Sequence, residues 1–187
     1  NGFLRKYLPY FDLKTQIHKD PKHLFTYYRA LRIISIKVLE ELNEISKIVD
    51  STIERYGKID ILVNNAGVSL GSELDTYPDN LWEKTLAVNV SAPFRLTNLV
   101  AKNMKDNGSG SIINITSLNA ELAFPKNPAY MASKGALKQL TKSLAYDLGQ
   151  YGIRANNVGP GYIKTAMTDK SWNDSKMHNE RRDRTML

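Results

Sequence analysis

From residue 33 onward, short apolar runs alternate with stretches whose apolar positions recur every three or four residues. Leu42, Ile45, Val49, Ile53 and Tyr56 share one face of a helical repeat and are followed by Gly57. The spacing predicts a helix over 42–56 with a glycine stop. Residues 59–63 form an apolar run too short for a helix and read as a strand buried on both faces. Residues 79–104 are helical in composition but interrupted by Pro93, which has no N–H to offer the carbonyl of Asn89 four residues earlier. This predicts either a helix that breaks before Pro93 or a proline kink that leaves the Asn89 carbonyl free to hold a water. Residues 111–116 predict the next strand, entered from the turn-forming Asn-Gly-Ser-Gly at 107–110. Leu137, Leu140, Leu144 and Leu148 predict a second helix ending near Tyr151-Gly152, and residues 154–158 a further strand. Strands separated by helices imply a parallel sheet with helices on both faces. The expected fold is α/β, a doubly wound parallel sheet of the Rossmann type.

The two ends depart from this pattern. Residues 1–30 hold seven aromatic side chains and several cations without a clear period, and the chain turns polar after Pro160-Gly161. We therefore divide it into an atypical amino-terminal segment, 1–32, and an α/β portion, 33–187. The formal charge is +7, but residues 1–37 carry eight Lys/Arg against two Asp, which leaves the other 150 residues at +1. Basicity confined to one terminus argues against a nucleic-acid partner. No apolar run approaches the roughly 18 residues of a membrane span. No charged-then-apolar leader is visible either, and there is no cysteine. A cytoplasmic protein without a membrane partner is expected. His18, His23 and His178 lack metal-ligand spacing, so no metal is expected.

The candidate chemistry lies where strands end. Tyr130 and Lys134 stand four residues apart at the start of a helical pattern, so both side chains share a face. A phenol near pKa 10 is a weak proton-transfer group at neutral pH, and a nearby ammonium favours its ionised form. The pair alone is weak evidence, since the spacing is common on exposed helices. Its surroundings strengthen it. Ser117 follows the strand at 111–116, Asn64-Asn65-Ala66-Gly67 closes the strand at 59–63, and Pro160-Gly161 follows the strand at 154–158, with Thr165 four residues later. Carboxyl ends of strands are the ligand-binding edge of open α/β sheets.

Asp60-Ile-Leu-Val-Asn-Asn-Ala-Gly67, Asn89-Val90, Ser117, Tyr130-x-x-x-Lys134 and Pro160-Gly161 together resemble, in order, the signatures of the short-chain dehydrogenase/reductase family. The resemblance is strong over 59–168 and weaker over 33–58. It implies a catalytic set of Asn89, Ser117, Tyr130 and Lys134, in which Tyr130 exchanges the proton and Ser117 bonds the substrate oxygen. Lys134 would lower the Tyr130 pKa and bind the nicotinamide ribose, and Asn89 would hold a water linking Lys134 to solvent. The cofactor implied is NAD or NADP, contacted by Asn65, Ala66, Gly67, Tyr130, Lys134, Pro160, Gly161, Ile163 and Thr165. The substrate implied is a small alcohol or carbonyl compound. Asn119, Glu121 and the region of Trp172 resemble sugar-acid and polyol dehydrogenases such as gluconate 5-dehydrogenases, with a 3-oxoacyl reductase as the other substrate reading.

Two departures matter. The family opens on a strand and a glycine-rich phosphate turn, yet no glycine occurs between Phe3 and Tyr56. Such a turn needs residues without a Cβ at positive φ. The carboxyl end also stops before the family's final helix and strand. The fold is thus expected to be truncated at both ends, with exposed edges that favour homo-oligomers. A catalytically silent remnant acting as a binding or interaction protein is the alternative to an enzyme. An extended-type epimerase or dehydratase shares Tyr-x-x-x-Lys but generally lacks Asn-Asn-Ala-Gly. Phe25–Arg29 and residues 180–184 are read as surface segments, the latter as a solvated helical face.

Overall fold

The computed structural model describes residues 30–32 and 42–183. Four strands make one parallel sheet in the order β1 (Ala30–Arg32), β2 (Ile61–Asn64), β3 (Gly110–Ile115) and β4 (Ile153–Val158). Between them run α1 (Leu42–Tyr56), α2 (Asp79–Leu86), α3 (Ala92–Asp106) and α4 (Pro128–Gly149). Two short helices, α5 (Asp169–Asn173) and α6 (Ser175–Arg182), follow β4. The parallel Rossmann-type α/β architecture expected from the sequence is therefore present. Among the described residues the strand order never reverses. Right-handed crossovers between strands added in one direction fall on the same side of the sheet. In keeping with this, α1 packs on α3, and α3 packs on α4. The glycine-rich turn discussed above would fall outside the described residues. No helix among them is long and apolar enough to cross a membrane.

The helices form where their apolar spacing allows one face to be buried. Ile45, Ile48 and Val49 on α1 join Leu96, Val100 and Met104 on α3 over Leu62, Ile112 and Ile153 of the sheet. Each such side chain contributes about 1.5–3 kcal/mol on burial. Gly57 ends α1 as expected: its φ of 81° is left-handed, and its N–H returns to Ile53 O at 2.6 Å. β2 corrects an expectation, because only Leu62 and Asn64 are buried while Ile61 and Val63 are half-buried. The helices cover one face of this strand more fully than the other.

Pro93 is accommodated without a break. Residues Ala87–Ser91 form a π-helical turn between α2 and α3, the Ala92 N–H bonding back to Ala87 O. α3 then begins with Pro93 inside its first turn, where a missing N–H costs little. Of the two outcomes the sequence left open, the helix neither stops nor simply bends; it takes in an extra residue at Asn89.

The sheet interior is not wholly apolar. Asn64, Asn114 and Asn157 stand in register across β2, β3 and β4. Asn64 Nδ2 donates to Asn114 Oδ1 at 2.7 Å, and Asn114 Nδ2 donates to Thr141 Oγ1 of α4 at 2.7 Å. The Thr141 hydroxyl in turn reaches Asn157 Oδ1 at 2.7 Å and Leu137 O at 2.8 Å. Asn64, Asn114 and Thr141 are all buried. Replacing Asn114 with leucine removes the near acceptor of the Asn64 amide and one of the three partners of the Thr141 hydroxyl, and an orphaned buried polar group costs about 1–3 kcal/mol. Asn114→Leu is therefore expected to lower the unfolding free energy by about 3 kcal/mol in urea titration, with unchanged m. A loss below about 1 kcal/mol would show that the seam contributes little.

Candidate active site

β2, β3 and β4 end side by side, and the residues that follow them converge. Beyond the ladder, the Thr116 N–H and hydroxyl both donate to Val158 O, at 2.8 and 3.1 Å, and the Leu118 N–H donates to Pro160 O at 3.1 Å. These bonds hold the ends of β3 and β4 together. They bring Ser117, from the first, beside Pro160 and Gly161, from the second. Asn65, Ala66 and Gly67 leave β2, and Tyr130 and Lys134 lie in the first turns of α4. All of them, with Ile163 and Thr165, line one cleft of about 470 Å³. The Ser117 hydroxyl is oriented by accepting the Asn119 N–H at 3.1 Å, capping the 3-10 turn Leu118–Ala120.

Lys134 is 4% exposed, and its ammonium donates to Ile115 O at 2.7 Å. Its Nζ lies 5.6 Å from the centre of the Tyr130 ring. Burial disfavours the cation and brings Lys134 down to about 8. Burial also raises the Tyr130 phenol above its ordinary value, with the Ser117 hydroxyl acting in the opposite sense. Desolvation therefore outweighs any help that the sequence led us to expect from Lys134.

Asn89 is the one expected site residue that does not line the cleft. Its buried side chain is a clamp. Oδ1 accepts the Val68 N–H at 2.9 Å, while Nδ2 donates to Val68 O and to Ser133 Oγ, both at 2.9 Å. Ser133 in turn donates to Tyr130 O at 2.7 Å. The π-turn thus ties the loop after β2 to the turn of α4 that carries Tyr130. Gly67 lies between clamp and cation. A Cβ there would stand 3.3 Å from Asn89 Oδ1, a tight contact, and 3.5 Å from Lys134 Nζ, an ordinary one.

The sequence reading missed several residues. Ile115, Thr116, Ala166, Met167 and Thr168 also line the cleft. The Thr168 hydroxyl organises the loop after β4, accepting the Thr165 N–H at 2.9 Å and donating to Ile163 O at 2.8 Å. A second pocket of about 170 Å³ shares Ser117, Tyr130, Gly161, Met167 and Thr168 with the first and extends to Asn127 and Arg181. Arg181 corrects the reading of residues 180–184 as a solvated face. Its guanidinium carbon lies 5.5 Å from the Phe124 ring centre and 5.2 Å from that of Tyr162, and it donates to Ser171 Oγ. Nothing in the local sequence separates it from Arg182, which is exposed and pairs with Asp183. Among the described residues, no group of three or more His, Cys, Asp or Glu is placed to hold a metal.

Comparison with known proteins bears on this arrangement. The family model described as short chain dehydrogenase matches residues 21–176, starting ahead of the region in which we read the resemblance. The chain is 41% identical over 161 residues to 2-(R)-hydroxypropyl-CoM dehydrogenase of Xanthobacter autotrophicus, covering 84% of this chain and 64% of that protein. It is 42% identical over 121 residues to gluconate 5-dehydrogenase of Gluconobacter oxydans, covering 64% and 47%. It therefore spans less than two thirds of the length of each. The structure superposes with a TM-score of 0.76 on a gluconate 5-dehydrogenase from Burkholderia cenocepacia in complex with NADP and tartrate, at 37% identity over 79% of this chain and 58% of that one. An NAD+-bound xylitol dehydrogenase superposes with a TM-score of 0.67, at 30% identity over 74% and 56%. With the family match extending over most of its length, on a parallel sheet of matching fold, the chain belongs to the short-chain dehydrogenase family.

Proposed function

We propose that the protein is an NAD(P)-dependent oxidoreductase interconverting a small secondary alcohol and its carbonyl through Ser117, Tyr130, Lys134 and Asn89. The observation that carries this reading is a buried lysine one helical turn from a half-buried tyrosine, in a cleft that also holds the Ser117 hydroxyl. Ser117 donates to the substrate oxygen. Tyr130 takes the proton from the alcohol, or returns it to the forming alkoxide, at its phenolic oxygen. Lys134 provides the cation that stabilises the phenolate. Asn89 acts through Ser133, holding the backbone of Tyr130 in place, and on the family pattern its carbonyl carries a water toward Lys134.

The cleft suits the nicotinamide end of a dinucleotide. Gly67 has no Cβ to press on the Asn89 clamp, and Pro160, Gly161, Ile163 and Thr165 form an open wall beside it. Asn65, Ala66 and Gly67 would lie along the cofactor, and Lys134 would reach its ribose. When bound, the nicotinamide supplies the hydride acceptor or donor. Its oxidised ring is also cationic, which would help Lys134 offset the desolvation of Tyr130. The relatives divide between NADP and NAD, and we leave both open for this protein. Cytoplasmic location and assembly into homo-oligomers belong to the same reading, the latter supported by Phe94 on α3 and Tyr146 on α4, both exposed.

One observation favours a second reading, that of a silent binding protein. The absence of glycine between Phe3 and Tyr56 deprives this chain of the turn that normally receives the pyrophosphate. Calorimetric titration of this chain with NADH and NADPH is accordingly expected to show no micromolar binding. Micromolar affinity would show that another segment supplies the phosphate site.

Tyr130→Phe keeps the ring but removes the transferable proton. Turnover is expected to fall at least about a hundredfold, and a variant retaining most activity would exclude Tyr130 as the proton donor. The pH profile gives a separate check. A lysine titrating at about 8 is cationic below that pH and neutral above it. Since the cation must stabilise the phenolate left after proton donation, kcat/KM for carbonyl reduction should stay level up to about pH 8 and decline above it. A rate that stays level to pH 10 would remove the Lys134 charge from the mechanism.

A further inference from the structure

The proton-transfer step gives Asn119 no part, yet its side chain reaches a group on which that step depends. Asn119 lies inside the 3-10 turn Leu118–Ala120 and lines the smaller pocket, which shares Ser117 and Tyr130 with the main cleft. Its backbone N–H donates to Ser117 Oγ at 3.1 Å, and the Ser117 hydroxyl donates back to Asn119 Oδ1 at 3.2 Å. One residue therefore engages both an acceptor site and the single proton of the serine. The other neighbour of this hydroxyl is the Tyr130 phenol.

A hydroxyl with one proton can serve only one of two competing acceptors. While Tyr130 is a phenol it can donate to Ser117 Oγ as Ser117 donates to Asn119 Oδ1, and the three groups form a chain running in one direction. A phenolate reverses the demand. It only accepts, so the Ser117 proton must turn from Asn119 to the tyrosine oxygen. The bond given up is long for an O–H···O contact, whose usual range ends at about 3.0 Å. Asn119 is also half-buried, so solvent can meet the freed Oδ1. The proton is held, but loosely.

We infer that Asn119 is a positioning residue acting through Ser117, its Oδ1 holding the serine proton while Tyr130 is a phenol and competing for it once a phenolate forms. Asn119 thereby favours the protonated tyrosine, the form that donates to a carbonyl. The inference rests on the oxidoreductase reading for the use made of Tyr130, whereas the competition itself rests on the hydrogen bonds. The simpler role, closing the 3-10 turn, belongs to the Asn119 backbone N–H and survives any change of side chain. Among the described residues lining the two pockets, Lys134 and Arg181 carry charge and Tyr162 is the other titratable group. Glu121, close to Asn119 in the chain, is paired with Lys138.

Two side-chain variants should move the Tyr130 ionisation in opposite directions. Asn119→Ala removes the competing acceptor and keeps the N–H, so the midpoint should fall by about half a pH unit, the scale of one neutral hydrogen bond. Asn119→Asp offers a charged acceptor, roughly twice as strong, and should raise the midpoint. Carbon NMR of protein labelled at tyrosine Cζ, with Tyr130→Phe assigning the resonance, reads both without turnover. In a Ser117→Ala background Asn119→Ala should then have no effect, because no proton remains to be shared. Midpoints that move the same way in both variants, that stay where they are, or that respond to Asn119→Ala without Ser117 would overturn the inference. Should the alanine variant fail to fold, the isosteric aspartate decides. Its upward shift should shrink when Ser117 is removed, and an undiminished shift would be plain charge repulsion and sink the idea. With cofactor, the alkaline rise in kcat/KM for isopropanol oxidation should follow the same order. An NMR order as expected, with a rate profile that does not follow it or no turnover, supports the role of Asn119 and counts against the oxidoreductase reading alone.

Discussion

A row of side-chain amides near the carboxyl ends of β2, β3 and β4 constrains everything built on that edge. Asn64, Asn114 and Asn157 are matched in register, and Thr141 joins them to α4. A parallel sheet held only by aliphatic contacts tolerates small slips, because apolar contact is not directional. Amides bonded side chain to side chain do not, since a shift of one residue would turn each to the other face and leave it unpaired. The seam sits at the carboxyl ends of the strands, one to three residues before Asn65, Ser117 and Pro160. It therefore fixes strand ends and helix together, and with them the distance between the Ser117 loop and the α4 residues Tyr130 and Lys134.

A second constraint acts from outside the sheet. The π-turn at Asn89 inserts one residue into the passage from α2 to α3, and the asparagine side chain then bonds both the loop after β2 and Ser133 on α4. The two elements carrying the proposed cofactor contacts and the proposed proton donor are thus locked through one buried residue. The electrostatic cost is visible at the same place. Burial opposes both charges that the chemistry needs, the Lys134 cation and the Tyr130 anion. Rigid placement favours proton transfer while desolvation works against it, so the balance depends on charge brought into the cleft with the reactants.

Much of this was legible in the residue pattern. Alternating strand and helix periods foretold three of the four strands and the helices between them, and Gly57 marked a helix end, because burial leaves its period in the sequence. The Asn65-Ala66-Gly67, Ser117, Tyr130, Lys134 and Pro160-Gly161 motifs each lie at a strand end or helix start, so topology alone was enough to gather them into one cleft. Asn89 was recognised from its motif, but its clamp was not, because its partners Val68 and Ser133 are distant in the chain.

The sequence by itself determined the order of the central strands and helices, the parallel α/β class, the family and the motif residues that the cleft gathers. Tertiary structure decided the rest: the half-open faces of β2, the extra residue at Pro93, the register of the asparagine seam and the inward turn of Arg181. Local periodicity records which face of an element is buried but not what lies opposite it. Arg181 and Arg182 are neighbours in the chain, yet one stacks on Phe124 and Tyr162 and the other pairs with Asp183 at the surface. Only the packing of α6 against Phe124, Tyr162 and Ser171 separates them, and that contact leaves no trace in the spacing of residues.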